Sequence, residues 1–125
     1  MGEEFGRMKP KTGKIEKEAF NELVYEVVRL VPYGRVTNYG AVAKAIGFPN
    51  LSRMVGAAMG GCGMSGDAVP AHRVVNSSGR LTGKAAFGGP EKMQRLLEAE
   101  GVVVKNDKVC DFRTLFWDPI NEIGN

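Results

Sequence analysis

The chain has 125 residues, room for one domain around one modest core, with 43% hydrophobic and 25% charged residues, an ordinary globular balance. Lys and Arg total 17 against 14 acids, a net charge of +3 with a pI near 9.0, which permits a polyanionic partner without establishing one. No apolar run approaches the roughly 18 residues of a bilayer span, two cysteines make no disulfide framework, and the single His72 excludes zinc-finger spacing. Neither membrane, metal nor other cofactor is expected, and the default compartment is the cytoplasm, nucleoid-associated in a bacterium.

Residues 1–15 are polar without an apolar period and read as a flexible tail. Their early acids argue against a secretory signal, and Gly6 breaks the myristoylation pattern that Gly2 begins. Lys9, Lys11 and Lys14 either solvate the tail or touch phosphate. Residues 16–119 read as the folded domain and 120–125 as a C-terminal tail.

From Glu16 to Val31, Ala19, Phe20, Leu23, Val24, Val27, Val28 and Val31 recur at steps of three and four, the face of a helix that Pro32-Tyr33-Gly34 stops. Thr37 is placed to cap a short helix reaching about Ile46, ended by Gly47. Asn50 is placed to cap another, about Leu51 to Met59, before Gly60-Gly61-Cys62-Gly63. This pair is either a helix-turn-helix or an ordinary helical hairpin. His72–Val75, a turn at Asn76–Gly79 and Arg80–Thr82 suggest a hairpin. Residues 83–89 read as a loop. Pro90 then opens a helix that Gly101 ends. Val102–Val104 and Val109 flank Asn106-Asp107 as a second hairpin, and Phe112, Leu115, Phe116 and Trp117 form a segment that folds back on the core. The expected class is mainly α, a helix-turn-helix domain with small β elements.

The second helix of the pair, Ser52 to Met59, is small-sided and carries one charge. A helix reading the major groove offers several long polar side chains to base edges. Small residues instead allow close backbone approach, either to the minor groove or within a core. Arg53 is either a surface ion-pairing residue or one that enters a duplex to fill a gap. Tyr39 is either a core residue or one whose hydroxyl pushes a phosphate or meets a base edge. His72, with Glu100 as a candidate partner fixing its tautomer, has the form of a supported base, yet Ala71 beside it has nothing to activate.

Several ordered motifs resemble the DNA-binding domain of the O6-alkylguanine-DNA alkyltransferases, and more narrowly the alkyltransferase-like proteins. They are Val31-Pro32-Tyr33-Gly34-Arg35-Val36, Asn38-Tyr39-Gly40, Ser52 to Met59, Pro70-Ala71-His72-Arg73-Val74-Val75, Ser77-Ser78-Gly79, Glu100-Gly101 and Phe116-Trp117-Asp118-Pro119. The resemblance implies a winged-helix-like domain, monomeric, binding double-stranded DNA that contains alkylated guanine. It places Ala71 where the repair enzymes carry their nucleophilic cysteine, so it implies no alkyl transfer, with nucleotide excision repair proteins as downstream partners. It implies that Tyr39 rotates the nucleotide outward and Arg53 fills its place. Gly56, Ala57 and Ala58 would lie in the minor groove, and His72 and Glu100 remain as a vestigial activating pair. The lesion pocket would be Tyr39, Ala71, Val74, Phe87, Gly88 and Gly89, with the carbonyls of Ala71 and Val74 accepting from the guanine amino group. Phe87 stands where the enzymes usually carry Ser, the loop before it is longer by about two residues, and Cys62 falls near their hinge asparagine.

Two other functions compete. An active transferase would need Cys62 or Cys110, and neither adjoins His72 in sequence. A sequence-specific regulator would need more long polar side chains than Arg53 alone.

Overall fold

The structure, a computed structural model, describes residues 16–62, 69–83, 87 and 91–123. The tail expected at 1–15 therefore lies outside the described residues, as do Pro90 and the loop glycines Gly88 and Gly89.

Helix α1 (Lys17–Arg29) buries Phe20, Leu23, Val24, Val27 and Val28, the three–four periodicity made into one apolar face. The chain then turns at Gly34, whose φ of +80° suits a residue without Cβ. Strand β1 (Thr37–Asn38) leads directly into α2 (Tyr39–Ala45). The cap of α2 is Asn38, not Thr37: Asn38 is the last extended residue, and its side chain accepts the Ala41 N–H at 2.8 Å. The Thr37 hydroxyl is instead buried with no hydrogen-bond partner among the described residues.

Helix α3 (Ser52–Cys62) runs three residues past the expected end at Met59. Glycines in a helix cost about 1 kcal/mol each relative to Ala, which the buried face of Val55, Ala58 and Met59 can offset. Together α2 and α3 form the helix-turn-helix pair, packed on α1.

The expected hairpin of 72–75 with 80–82 does not form. Strand β2 (Val74–Val75), reached through a short 3₁₀ turn at Ala71–Arg73, pairs in parallel with β1, Thr37 opposite Val74 and Asn38 opposite Val75. The turn at Asn76 is present, its side chain accepting from the Ser78 and Arg80 N–H groups. It sends Arg80 to a later partner, because Leu81 N–H donates to Asp107 O and Val109 N–H to Gly79 O, each at 2.9 Å. Helix α4 (Lys92–Ala99) ends near Gly101, at φ +88°. Strands β3 (Val104–Lys105) and β4 (Lys108–Val109) make the second expected hairpin, its two-residue turn formed by Asn106 and Asp107 at φ +52° and +60°.

The C-terminal segment folds back as expected. After α5 (Phe112–Leu115), Phe116 bridges Val36 and the Trp117 N–H donates to the Val36 carbonyl at 2.7 Å. Of the segment expected as a C-terminal tail, 120–125, residues 120–123 are described and are helical, and 124–125 lie outside the described residues. Helix α6 (Pro119–Ile123) packs on α2, with Ile123 against the core.

Two apolar clusters result. The first joins α1, α2 and α3 with Ala71 and Val74; the second joins Val36, Val75, Leu81, Met93, Leu97 and the β3–β4 hairpin. Phe87 packs against both. The β1–β2 ladder is the seam between them, with Val74 in one cluster and Val75 in the other, as alternating strand side chains require.

Candidate nucleic-acid interface

A cavity of about 220 Å³ opens at this seam, lined by Tyr39, Gly56, Met59, Gly60, Ala71, Val74, Thr82, Gly83, Phe87 and Met93. One water needs only roughly 15 Å³ of such space, so the cavity has room for a planar heterocycle. Its walls are mainly apolar, which suits the faces of a base.

Four of the expected pocket residues, Tyr39, Ala71, Val74 and Phe87, line it together. Ala71 contributes a methyl group to the wall and is itself 7% exposed. Its carbonyl already accepts the Val74 N–H, which leaves one lone pair for another donor. Sequence reasoning missed Met59, Gly60, Thr82, Gly83 and Met93, which enter from α3, the residues after the Asn76 turn, and α4.

Tyr39 is half-buried, its ring against the first cluster and beside Gly56, and its hydroxyl accepts from Thr82 Oγ1 at 3.4 Å. A Cβ at Gly83 would meet that hydroxyl at 3.0 Å, so only glycine leaves it undisturbed. The hydroxyl sits in the cavity wall, not in the core.

On α3, Arg53, Ala57 and Gly60 are exposed and Gly56 is partly so, at the three–four spacing of one helix face. Arg53 makes no ion pair or hydrogen bond with any described residue. Ala58 does not belong to this face: it is 2% exposed, lies in the first cluster, and its carbonyl accepts the Tyr25 hydroxyl. Its neighbour Ala57 points the other way because successive helix residues are about 100° apart. A Cβ added at Gly60 would meet nothing within 4 Å among the described residues, so packing against them does not require glycine there.

Behind the cavity lies a polar clamp. His72 Nε2 and Glu100 Oε2 are 2.7 Å apart, so the structure brings these two residues together. Sequence reasoning missed the rest. Arg73 forks onto the same carboxylate, with Nη2 to Oε2 at 2.7 Å and Nε to Oε1 at 3.0 Å, and its Nη1 donates to the Val31 carbonyl at 2.8 Å. The Gly34 N–H donates to Glu100 Oε1 at 2.8 Å. Burial pushes the Glu100 carboxyl up, but the Arg73, Gly34 and His72 donors outweigh it and hold the pKa at about 2. Glu100 is thus a fixed anion that ties the α1–β1 turn, the 3₁₀ turn and the end of α4 together, and orients the ring beside Ala71. No cluster of metal-ligating side chains occurs among the described residues.

A helix-turn-helix pair that presents a small-sided helix beside a base-sized cavity has the architecture of a DNA-binding domain. Residues 19–102 match the family model of the 6-O-methylguanine DNA methyltransferase DNA-binding domain, and the chain belongs to that family. It is 33% identical over 106 residues to alkyltransferase-like protein 1 of Schizosaccharomyces pombe, covering 82% of this chain and 97% of that protein. It is 36% identical over 112 residues to the DNA base-flipping protein of Escherichia coli, covering 87% of this chain and 83% of that one. The fold is similar, at a TM-score of 0.75 and 31% identity, to the S. pombe protein in complex with damaged DNA containing O6-carboxymethylguanine. That match covers 82% of this chain and 98% of the other.

Proposed function

We propose that this protein binds duplex DNA containing O6-alkylated guanine, turns the damaged nucleotide into the cavity, and holds it without removing the alkyl group. The observation that carries this reading is the wall of the cavity. Ala71 stands there where the resemblance puts the acceptor thiol, beside an intact His72–Glu100 pair. A methyl group cannot accept an alkyl group, while the cavity still takes a base. Extruding a nucleotide costs a few kcal/mol. Arg53, exposed and unengaged on the face formed with Gly56, Ala57 and Gly60, would fill the vacated space. Tyr39 would guide the rotation from the cavity rim, and phosphate contacts would offset the cost.

The protein would act beside the chromosome in the cytoplasm. A lesion bound and left intact needs a separate excision activity to remove it, and the resemblance points to nucleotide excision repair. The competing readings have less support. Cys110 does not line the cavity, and the Cys62 side chain lies outside the described residues. A regulator's reading helix would need more than Arg53 to meet base edges in the major groove. Among the described residues, no helix is long and apolar enough to cross a membrane.

The test is a fluorescent base analogue placed opposite or beside the lesion. The unmodified protein should raise its emission as stacking is lost. Arg53→Ala should weaken lesion binding strongly and undamaged binding less, changing the salt slope by at most about one. Tyr39→Phe should cost about 1–3 kcal/mol in lesion binding through loss of its hydroxyl. If both variants flip and bind as the unmodified protein does, the extrusion mechanism is wrong.

A further inference from the structure

We propose that the β3–β4 hairpin and the adjoining Arg80 form a second, cationic contact with the DNA backbone, separate from α3. The inference rests on the DNA-binding reading above and extends it to a surface that the helix-turn-helix pair does not supply.

Lys105 and Lys108 are directly opposite in the hairpin, so their side chains leave the same face. Arg80 bridges Lys108 in antiparallel fashion, with Leu81 N–H to Asp107 O and Val109 N–H to Gly79 O on either side. That is the close, non-hydrogen-bonded type of pair, in which side chains approach most nearly. Three cations therefore stand side by side across three adjacent segments. All three are exposed, and none makes an ion pair with a described residue. The opposite face is apolar and buried, formed by Val104, Val109 and Leu81. Strand alternation thus separates a core face from a basic face.

Like charges placed directly opposite each other weaken a sheet. Asp107 lies in the turn beside this row, yet none of the three cations pairs with a described acid, so the arrangement fits an external anion. The anion is assigned by position. Thr82, two residues beyond Arg80, lines the cavity and donates to the Tyr39 hydroxyl. The basic face thereby continues along one short segment to the rim that would receive the extruded base. A duplex seated on α3 would bring its phosphates along that segment. A duplex backbone, with a negative charge every ~1.7 Å of axis, matches three neighbouring cations.

The experiment is a salt titration of the full chain with Arg80→Gln, Lys105→Gln and Lys108→Gln combined, on matched duplexes with and without O6-methylguanine. Each lost phosphate contact should lower the slope of log K against log salt by roughly 0.9. A fall of about two to three is expected, with both duplexes weakened by the same factor and the preference for the lesion kept. The melting temperature should stay level or rise, because a repulsion has been removed. Lys105→Gln alone, expected to lower the slope by about one, serves if the triple variant folds poorly. An unchanged slope would overturn the proposal. An unchanged slope with loss of binding to a polyglutamate peptide would overturn it in favour of an acidic protein partner. Absence of any lesion preference in the unmodified protein would instead sink the functional reading, and the slope on undamaged duplex would still decide the role of the hairpin.

Discussion

Among single residues, the Glu100 carboxylate and the glycines Gly60 and Gly79 answer to different demands. The Glu100 carboxyl titrates at about 2 in the folded protein against an ordinary value of 4.5. The folded state therefore favours the anion. This stabilisation, on the order of 3 kcal/mol, is fully present above the unfolded value and is lost as the pH falls through about 2. Glu100→Gln should lower stability in denaturant titrations at neutral pH by about that much, and the gap to the unmodified protein should close as the pH approaches 2. A gap independent of pH would mean that the Glu100 charge does not carry the effect. The glycines separate internal from external demands. At Gly60 an added methyl meets nothing within 4 Å among the described residues. Gly60→Ala should raise helix stability by up to about 1 kcal/mol and yet weaken binding to any duplex, because the methyl would hold α3 off the groove floor. Loss of stability would contradict this, as would unchanged binding. At Gly79, by contrast, φ is +86° and a Cβ would meet the Phe112 ring at 3.2 Å, so that glycine answers to the fold alone.

At the scale of elements, Asn38→Ala removes the cap of α2 and should cost about 1 kcal/mol, measured by thermal or urea unfolding. Thr37→Ala, the substitution that the sequence pattern would have chosen, should cost no cap, because the Thr37 hydroxyl has no partner among the described residues. This difference shows where the sequence was legible. Helix α1 was readable because its apolar residues keep a three–four period that Pro32-Tyr33-Gly34 stops, and α4 because Gly101 ends it. The β3–β4 hairpin was readable because Asn-Asp between apolar runs favours a turn with two positive φ values. The β1–β2 pairing was not readable, since strands of two residues have no period and the pairing joins residues 37 apart in sequence. Ala57 and Ala58 look identical in composition, and only the rotation of α3, set by Val55 and Met59 entering the core, puts one outside and the other inside. The fork from Arg73 to Glu100 spans 27 residues and leaves no local trace. Helix α6 left a signal that was passed over: Asp118 before Pro119, with the Asp118 carboxylate accepting the Ile120 N–H at 3.1 Å.

At the scale of the whole molecule, the two apolar clusters meet along the β1–β2 seam, and the cavity lies where they meet. Neither cluster alone builds it: Met59 and Ala71 come from one, Met93 from the other, and Phe87 touches both. The Glu100 clamp fixes how the seam is held. On the proposed reading, lesion recognition is a property of the assembled domain, and Ala71, which carries no thiol, separates recognition from chemistry. The most direct test follows the DNA and the protein in one titration. Matched duplexes with and without O6-methylguanine are bound at two salt concentrations, and the recovered protein and DNA are then weighed by intact mass. The account predicts tighter binding to the damaged duplex at both salts, an unchanged protein mass and a lesion still in place. Equal affinity for the two duplexes would contradict it, and so would a protein heavier by one methyl group.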